Sequence, residues 1–133
     1  MLTNAVIPQY SGYHPVGTVN IIHFIVTYPI VEEILFRGLL LPLLNRSFHY
    51  TILELFYLPV TVPIALTALL FAAAHLQYYK LNQTSVRYML FAFIGGLTFG
   101  VIADSTQSIL IPVLLHVEYN LLAFYYSTKM KTE

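Results

Sequence analysis

The sequence contains no cysteine and very little charge. Without cysteine, a disulfide framework, a thiolate zinc site and a cysteine nucleophile are all excluded. Only 9% of the 133 residues are charged and 58% are hydrophobic, whereas soluble globular domains carry about 25% charged residues. Six basic and six acidic side chains give a net charge of zero, and the absence of a basic run argues against nucleic acid binding. The remaining class is a small polytopic membrane protein of one domain.

Four apolar stretches are separated by short polar or turn-forming segments. Each is close to the roughly 20 residues that a helix needs to cross a hydrocarbon core, although the third is short. None of them alternates polar and apolar residues as the wall of a membrane barrel does, so strands are not expected. We therefore predict an all-α membrane bundle of about four transmembrane helices, over residues 19–44, 53–76, 88–103 and 109–126.

The distribution of basic residues predicts the orientation of these spans. With four crossings, Arg46 stands alone on one side of the membrane, and four basic residues share the other side: Lys80, Arg87, Lys129 and Lys131. Basic residues are in excess on cytoplasmic loops, so both termini are expected in the cytoplasm. The predicted organisation is a short polar N-terminal segment, a membrane core and a cytoplasmic tail, over residues 1–18, 19–126 and 127–133.

The ionisable residues inside the predicted spans are the most informative feature. A charge at the centre of a bilayer costs about 2.5 to 3.5 kcal/mol on insertion scales, so such residues are functional candidates by default. The alternative is a polar clamp that only holds the helices together. The residues concerned are Glu32, Glu33 and Arg37 in the first span, His75 in the second, and His116, Glu118 and Asn120 in the fourth.

Helix geometry separates the roles within these clusters. Glu33 lies one turn before Arg37, so the two side chains can neutralise one another, while Glu32 points to another sector and is left as a candidate general base. His116 and Asn120 are four residues apart and share one helix face, where they could donate hydrogen bonds to an oxyanion. Glu118 lies about 200° around the helix from His116 and faces away, toward a partner that the sequence does not identify.

Small residues and prolines accompany the polar clusters. Gly96 and Gly100 form a small-x-x-x-small pair, which predicts close packing of the third span against a neighbour. Pro29 precedes Glu33 by one turn and Pro112 precedes His116 by one turn, and each proline removes a helical hydrogen bond. Bends at both positions could open a cavity, although membrane helices also tolerate these residues in general.

Three motifs occur in order on separate spans and resemble those of a known family. They are E-E-x-x-x-R, F-x-x-x-H and H-x-x-x-N, which stand here as 32–37, 71–75 and 116–120. The set resembles the CPBP family of CAAX proteases and bacteriocin-processing enzymes, also called the Abi family, which includes the type II CAAX prenyl endopeptidases. The resemblance covers most of the chain, from about Tyr28 to Asn120.

The resemblance implies an intramembrane endopeptidase that acts on a membrane-associated protein or peptide. Glu32 and His75 would activate water, His116 and Asn120 would stabilise the oxyanion, and Glu33 and Arg37 would support the site. The metal question stays open, because a divalent ion such as zinc could be bound by Glu32, His75 and His116, yet the H-x-x-x-N pair can also work without metal. A multi-pass protein of a bacterial cell membrane, in contact with lipid, is expected.

Two other functions remain open at the level of the sequence. Relatives commonly carry more helices before the first motif, so the short chain could form a homo-oligomer or could be a bacteriocin-immunity or interaction protein that retains the protease fold. A small channel or transporter is less favoured, because the polar residues cluster at one place and do not follow a route across the membrane.

Overall fold

The computed structural model describes residues 15–77 and 81–129. Four helices and one β-hairpin follow one another in the order α1, β1, β2, α2, α3, α4. The predicted N-terminal segment up to residue 14, Lys80 and the end of the predicted tail lie outside the described residues. The bounds are Thr18–Asn45 for α1, Thr51–Leu55 for β1, Leu58–Thr61 for β2, Val62–Ala74 for α2, Gln83–Thr106 for α3 and Leu110–Lys129 for α4.

Helix α1 is widened in two places, and each wide segment comes shortly before a proline. The π-helical turns span His23–Thr27 and Ile34–Leu40, and Pro29 and Pro42 follow them. Proline has no backbone N–H, so it cannot donate the hydrogen bond that would continue a regular helix. Wide turns of this kind recur at functional sites because they change the direction of the following side chains. Glu32 and Glu33 lie between the two wide segments.

The β-hairpin corrects the prediction for the second span. Residues 53–61 were expected to be part of an unbroken helix over 53–76, and strands were not expected, but the helix begins only at Val62. A helix reaching back to residue 53 would hold Pro59 and Pro63 in its interior, where each would remove a backbone hydrogen bond. In the structure Pro63 occupies the first turn of α2, and the Thr61 hydroxyl accepts from the Ile64 N–H at 3.4 Å as an N-cap.

The hairpin is fixed to the bundle by one side chain from each strand, Leu55 of β1 and Val60 of β2. Strands β1 and β2 are antiparallel, with Thr51 opposite Thr61 and Leu55 opposite Leu58. Val60 is 2% exposed and joins an apolar core at this end of the bundle. Burial of these side chains stabilises the docked hairpin through the hydrophobic effect. The other buried members of the core are Leu41, Ile64, Val101 and Ala103.

Two of the described helices are long and apolar enough to cross a membrane by length and composition. They are α1 and, within α3, the segment Ser85–Thr106. Helix α2 has 13 residues and is shorter than a full span, and α4 is not among the candidates. The structure therefore supports a mostly helical fold of four helices with two candidate spans, and the four complete spans of the prediction are not all present.

Helices α1 and α3 run in the same direction. Arg37 Nη2 donates to the Gly96 carbonyl at 3.2 Å, and Asn45 Nδ2 donates to Asp104 Oδ1 at 2.7 Å. Both contacts join residues 59 positions apart in the sequence, so a step toward the C-terminus of α1 matches an equal step toward the C-terminus of α3. This direction is the one expected for the first and third helices of an alternating bundle.

The two glycines of α3 allow it to approach α2 closely, which confirms the packing predicted from their spacing. A Cβ atom added to Gly96 would lie 3.1 Å from Ala68 Cα, and one added to Gly100 would lie 2.9 Å from Ile64 Cγ2. The distance at Gly100 is shorter than real Cβ contacts allow, and the distance at Gly96 is tighter than nearly all of them, so the absence of a side chain at these two positions permits the observed separation. Gly95, next to this pair, has no atom within 4 Å of an added Cβ.

Replacing Gly100 with alanine is expected to destabilise the bundle. Ile64 is completely buried and branched at Cβ, so it has little freedom to move away from the new methyl group. Overpacking of a core costs typically about 1–3 kcal/mol, and thermal unfolding in detergent micelles would measure the loss. Gly95→Ala is the matched control, because it adds the same atom in open space and should be neutral or stabilising. Equal melting temperatures for the two variants would contradict the packing described for α2 and α3.

Candidate active site

The site contains a buried ion pair between two residues of α1. Arg37 Nη1 donates to Glu33 Oε1 at 2.9 Å, and both side chains are completely inaccessible to solvent. The pairing predicted from the one-turn spacing is therefore confirmed. Arg37 also donates to the backbone of α3 through the Gly96 carbonyl, so the close approach at Gly96 gives this guanidinium a second acceptor. A buried pair needs such additional hydrogen bonds to offset its loss of hydration.

His116 on α4 lies between the two glutamates of α1. Its Nδ1 is 2.8 Å from Glu33 Oε1, and its Nε2 is 3.6 Å from Glu32 Oε2. An ionised carboxylate only accepts, so Nδ1 carries the proton shared with Glu33 and Nε2 is turned toward Glu32. Glu32, which had no partner on its own helix by spacing, thus has one on α4. Its side chain is 19% exposed, whereas Glu33 is fully buried.

One oxygen of Glu33 carries both contacts. Arg37 and His116 approach Oε1, while Glu33 Oε2 and Arg37 Nε have no hydrogen-bond partner among the described residues. A shared acceptor holds the guanidinium and the imidazole at a fixed separation, so Glu33 positions His116 relative to Glu32.

The ring of Phe71 joins the groups that come from three helices. It lies 4.4 Å from Arg37 Cζ, and its centroid is 4.9 Å from the His75 ring and 5.7 Å from the His116 ring. A guanidinium over an aromatic face is attracted by the ring quadrupole. Phe71 is the first residue of the F-x-x-x-H motif. The structure assigns its ring a role in positioning Arg37, His75 and His116, which the spacing of the motif alone did not indicate.

His75 lies at the end of α2, half-buried, in a short 3₁₀ turn spanning His75–Gln77. The distance from its Nδ1 to the Phe71 carbonyl oxygen is 2.9 Å. A carbonyl oxygen only accepts, so Nδ1 is the donor, and in the neutral ring Nε2 carries the lone pair. Phe71 therefore orients His75 twice, through its ring and through its backbone.

Asn120 is held by α1. Its Nδ2 donates to the Phe24 carbonyl at 2.8 Å. Phe24 lies in the wide turn before Pro29, and Pro29 has no N–H to donate to a carbonyl one turn earlier. The amide of Asn120 supplies a donor at this point and links α4 to α1. This contact was not predictable from the H-x-x-x-N spacing, which placed Asn120 and His116 on one face.

The structure does not assemble the predicted metal ligands. Glu32 and His116 approach each other, but among the described residues no group of three His, Asp or Glu side chains could hold a metal ion together. Glu118 is exposed on α4 and takes no part in the cluster, in agreement with the helix arithmetic.

Apolar helices surrounding buried acidic, basic and imidazole groups define a helical protein with two candidate membrane spans and a candidate acid–base site. The sequence matches the Rce1-like family of type II CAAX prenyl endopeptidases over residues 15–122. The chain belongs to this family of membrane-embedded proteases, as the ordered motifs predicted. Comparisons with curated proteins and with solved structures give no match.

Proposed function

We propose that the protein is an intramembrane endopeptidase that hydrolyses a peptide bond of a membrane-associated protein or peptide. The observation that carries this proposal is the placement of Glu32. Its carboxylate is partly exposed and lies beside His116, whose other nitrogen is fixed by the buried pair of Glu33 and Arg37. A reactive group held against a rigid, buried support is the arrangement that acid–base catalysis requires.

Glu32 is proposed to remove a proton from the attacking water, with His75 as its partner. The Nδ1 of His75 is occupied by the Phe71 carbonyl, so Nε2 is the nitrogen that would accept or relay a proton. The carbonyl carbon of the substrate then gains the hydroxyl oxygen, and its own oxygen becomes negative. The proton held by the acid–base pair is finally delivered to the leaving amine, which separates from the new carboxylate.

His116 and Asn120 are proposed to stabilise the oxyanion. His116 would donate to the oxyanion from Nε2–H, while its Nδ1–H donates to Glu33 Oε1. Asn120 Nδ2 carries two hydrogens, and the bond to the Phe24 carbonyl uses one of them, so the second can donate to the oxyanion while the link to α1 is kept. Catalytic hydrogen bonds often tighten only in the complex with substrate.

Replacing Asn120 with alanine is expected to lower kcat by roughly 10²- to 10³-fold, as expected for loss of an oxyanion donor. Asn45→Ala is the matched control. It also removes a hydrogen bond between an asparagine amide and another helix, but at the C-terminal end of α1, away from Asn120. Turnover by purified variants in lipid nanodiscs would measure the difference. Equal losses of turnover in both variants would show that Asn120 acts only by holding helices together.

A library of membrane-delivered peptides tests the function and its metal dependence together. The family name designates a CAAX prenyl endopeptidase, so a prenylated peptide ending in a CAAX sequence is the first substrate to include. Each peptide would be incubated with the reconstituted protein, with and without a chelator. Cleavage at a defined internal bond supports the proposal. Absence of cleavage across the library, by folded protein, would contradict it.

A further inference from the structure

The tip of the β-hairpin presents two aromatic side chains to the exterior. Phe56 is 83% exposed and Tyr57 is 96% exposed. Their backbones adopt left-handed conformations, with φ of 51° and 64°. Asn-Gly and similar pairs favour such a two-residue turn, whereas aromatic residues do not. The aromatic rings are therefore not explained by the conformation of the turn.

The backbone of the hairpin limits where it can lie. In the described part of the chain the sheet has two strands, so the outer edge of each strand has no neighbouring strand. Unsatisfied backbone groups are too costly for the hydrocarbon core, where no water can bind them. The hairpin must therefore lie where water or lipid headgroups reach its edges. Val60 nevertheless fixes it against the helices, at the end of the bundle where α1 ends.

The surface next to the hairpin is suited to a lipid boundary. Leu39 and Leu43, on the last turns of α1, are 61% and 58% exposed, and they extend the apolar surface of the helix toward the hairpin. Arg46 and Tyr50 follow in the connection to β1, and both are exposed. Apolar, cationic and aromatic groups thus succeed one another within a few residues, in the order in which a bilayer changes from acyl chains to headgroups.

We propose that the hairpin tip, Phe56 and Tyr57, inserts into the boundary between headgroups and acyl chains and anchors this end of the bundle in the bilayer. At that depth the rings lie among apolar groups, the tyrosine hydroxyl meets headgroups, and the strand edges remain hydrated. The occupant of this surface is lipid, and not a second copy of the chain.

The absence of tryptophan from the sequence allows a direct test. Tyr57→Trp and Phe56→Trp each create a protein with one tryptophan, to be reconstituted in phosphatidylcholine–phosphatidylglycerol nanodiscs. We expect blue-shifted emission, quenching by lipids brominated near the headgroup end of the acyl chain, and weak quenching by aqueous acrylamide. Ile94→Trp, on a 51% exposed position near the middle of the candidate span in α3, provides the reference for full contact with acyl chains.

Two results would overturn the proposal. Strong acrylamide quenching without quenching by brominated lipid, in both tip variants, would place the tip in water. Protection from both quenchers would mean that protein covers the tip, as in contact with a second copy. The use of two tip positions guards against a single variant that fails to fold, and circular dichroism would verify the helical content of each.

Discussion

Glu32→Gln is expected to reduce peptide-bond cleavage by roughly 10²- to 10⁴-fold, the range associated with a positioned general base. Glutamine has nearly the same shape but cannot take a proton from water. The Glu32 side chain is partly exposed, and its contact on α4, to His116 Nε2, is long at 3.6 Å, so the substitution leaves the buried contacts of Glu33 intact. The loss should therefore appear in kcat, with little change in thermal stability, when purified variants are assayed in nanodiscs.

Glu118→Gln is the matched control for this experiment. It removes a carboxylate from α4 within two residues of His116, but from the exposed side of the helix. Cleavage by this variant should equal that of the unchanged protein. If Glu32→Gln and Glu118→Gln retained the same activity, Glu32 would not be the base, and the proposed division of roles would fail.

Arg37→Leu is expected to be the most destabilising single substitution among the site residues. It leaves the carboxylate of Glu33 completely buried and removes the cation from the face of Phe71. Removing one partner of a buried ion pair typically costs about 3–5 kcal/mol, because the remaining charge is uncompensated. Thermal unfolding in micelles, followed by circular dichroism, would measure the change. Arg46→Leu is the control, since Arg46 is exposed beyond the end of α1.

A double variant separates the charge effect from loss of packing. Glu33→Leu combined with Arg37→Leu replaces the pair with apolar side chains, and such replacements are often neutral or stabilising. The double variant should therefore unfold at a higher temperature than Arg37→Leu alone, yet remain inactive because His116 loses its orienting partner. A double variant less stable than the single one would mean that the pair stabilises the fold by shape and not by charge compensation.

The sequence predicted α1, α3 and α4 to within a few residues but not the hairpin. An apolar run such as 51–61 cannot be distinguished from part of a helix by hydrophobic pattern alone. One signal for the correct boundary was present, since Thr61 followed by Pro63 is a typical helix start. The positive φ values of Phe56 and Tyr57 could not be predicted, because neither residue favours that conformation.

Within the site, the contacts along one helix were predictable and those between helices were not. The Glu33–Arg37 pair follows from a spacing of four residues. The position of His116 between two carboxylates, and the bond from Asn120 to Phe24, depend on how α4 packs against the wide turns of α1. The role of Phe71 likewise required its neighbours from two other helices.

Cleavage of a membrane-anchored peptide in H₂¹⁸O tests the central claim most directly. The reconstituted protein would be incubated with a peptide identified from the library, and the fragments analysed by mass spectrometry. Hydrolysis by activated water predicts a free amine on one fragment and ¹⁸O in the new carboxylate of the other, formed by the unchanged protein and far more slowly by Glu32→Gln. Fragments that appear at the same rate with both proteins, or no fragments at all with folded protein, would contradict the account.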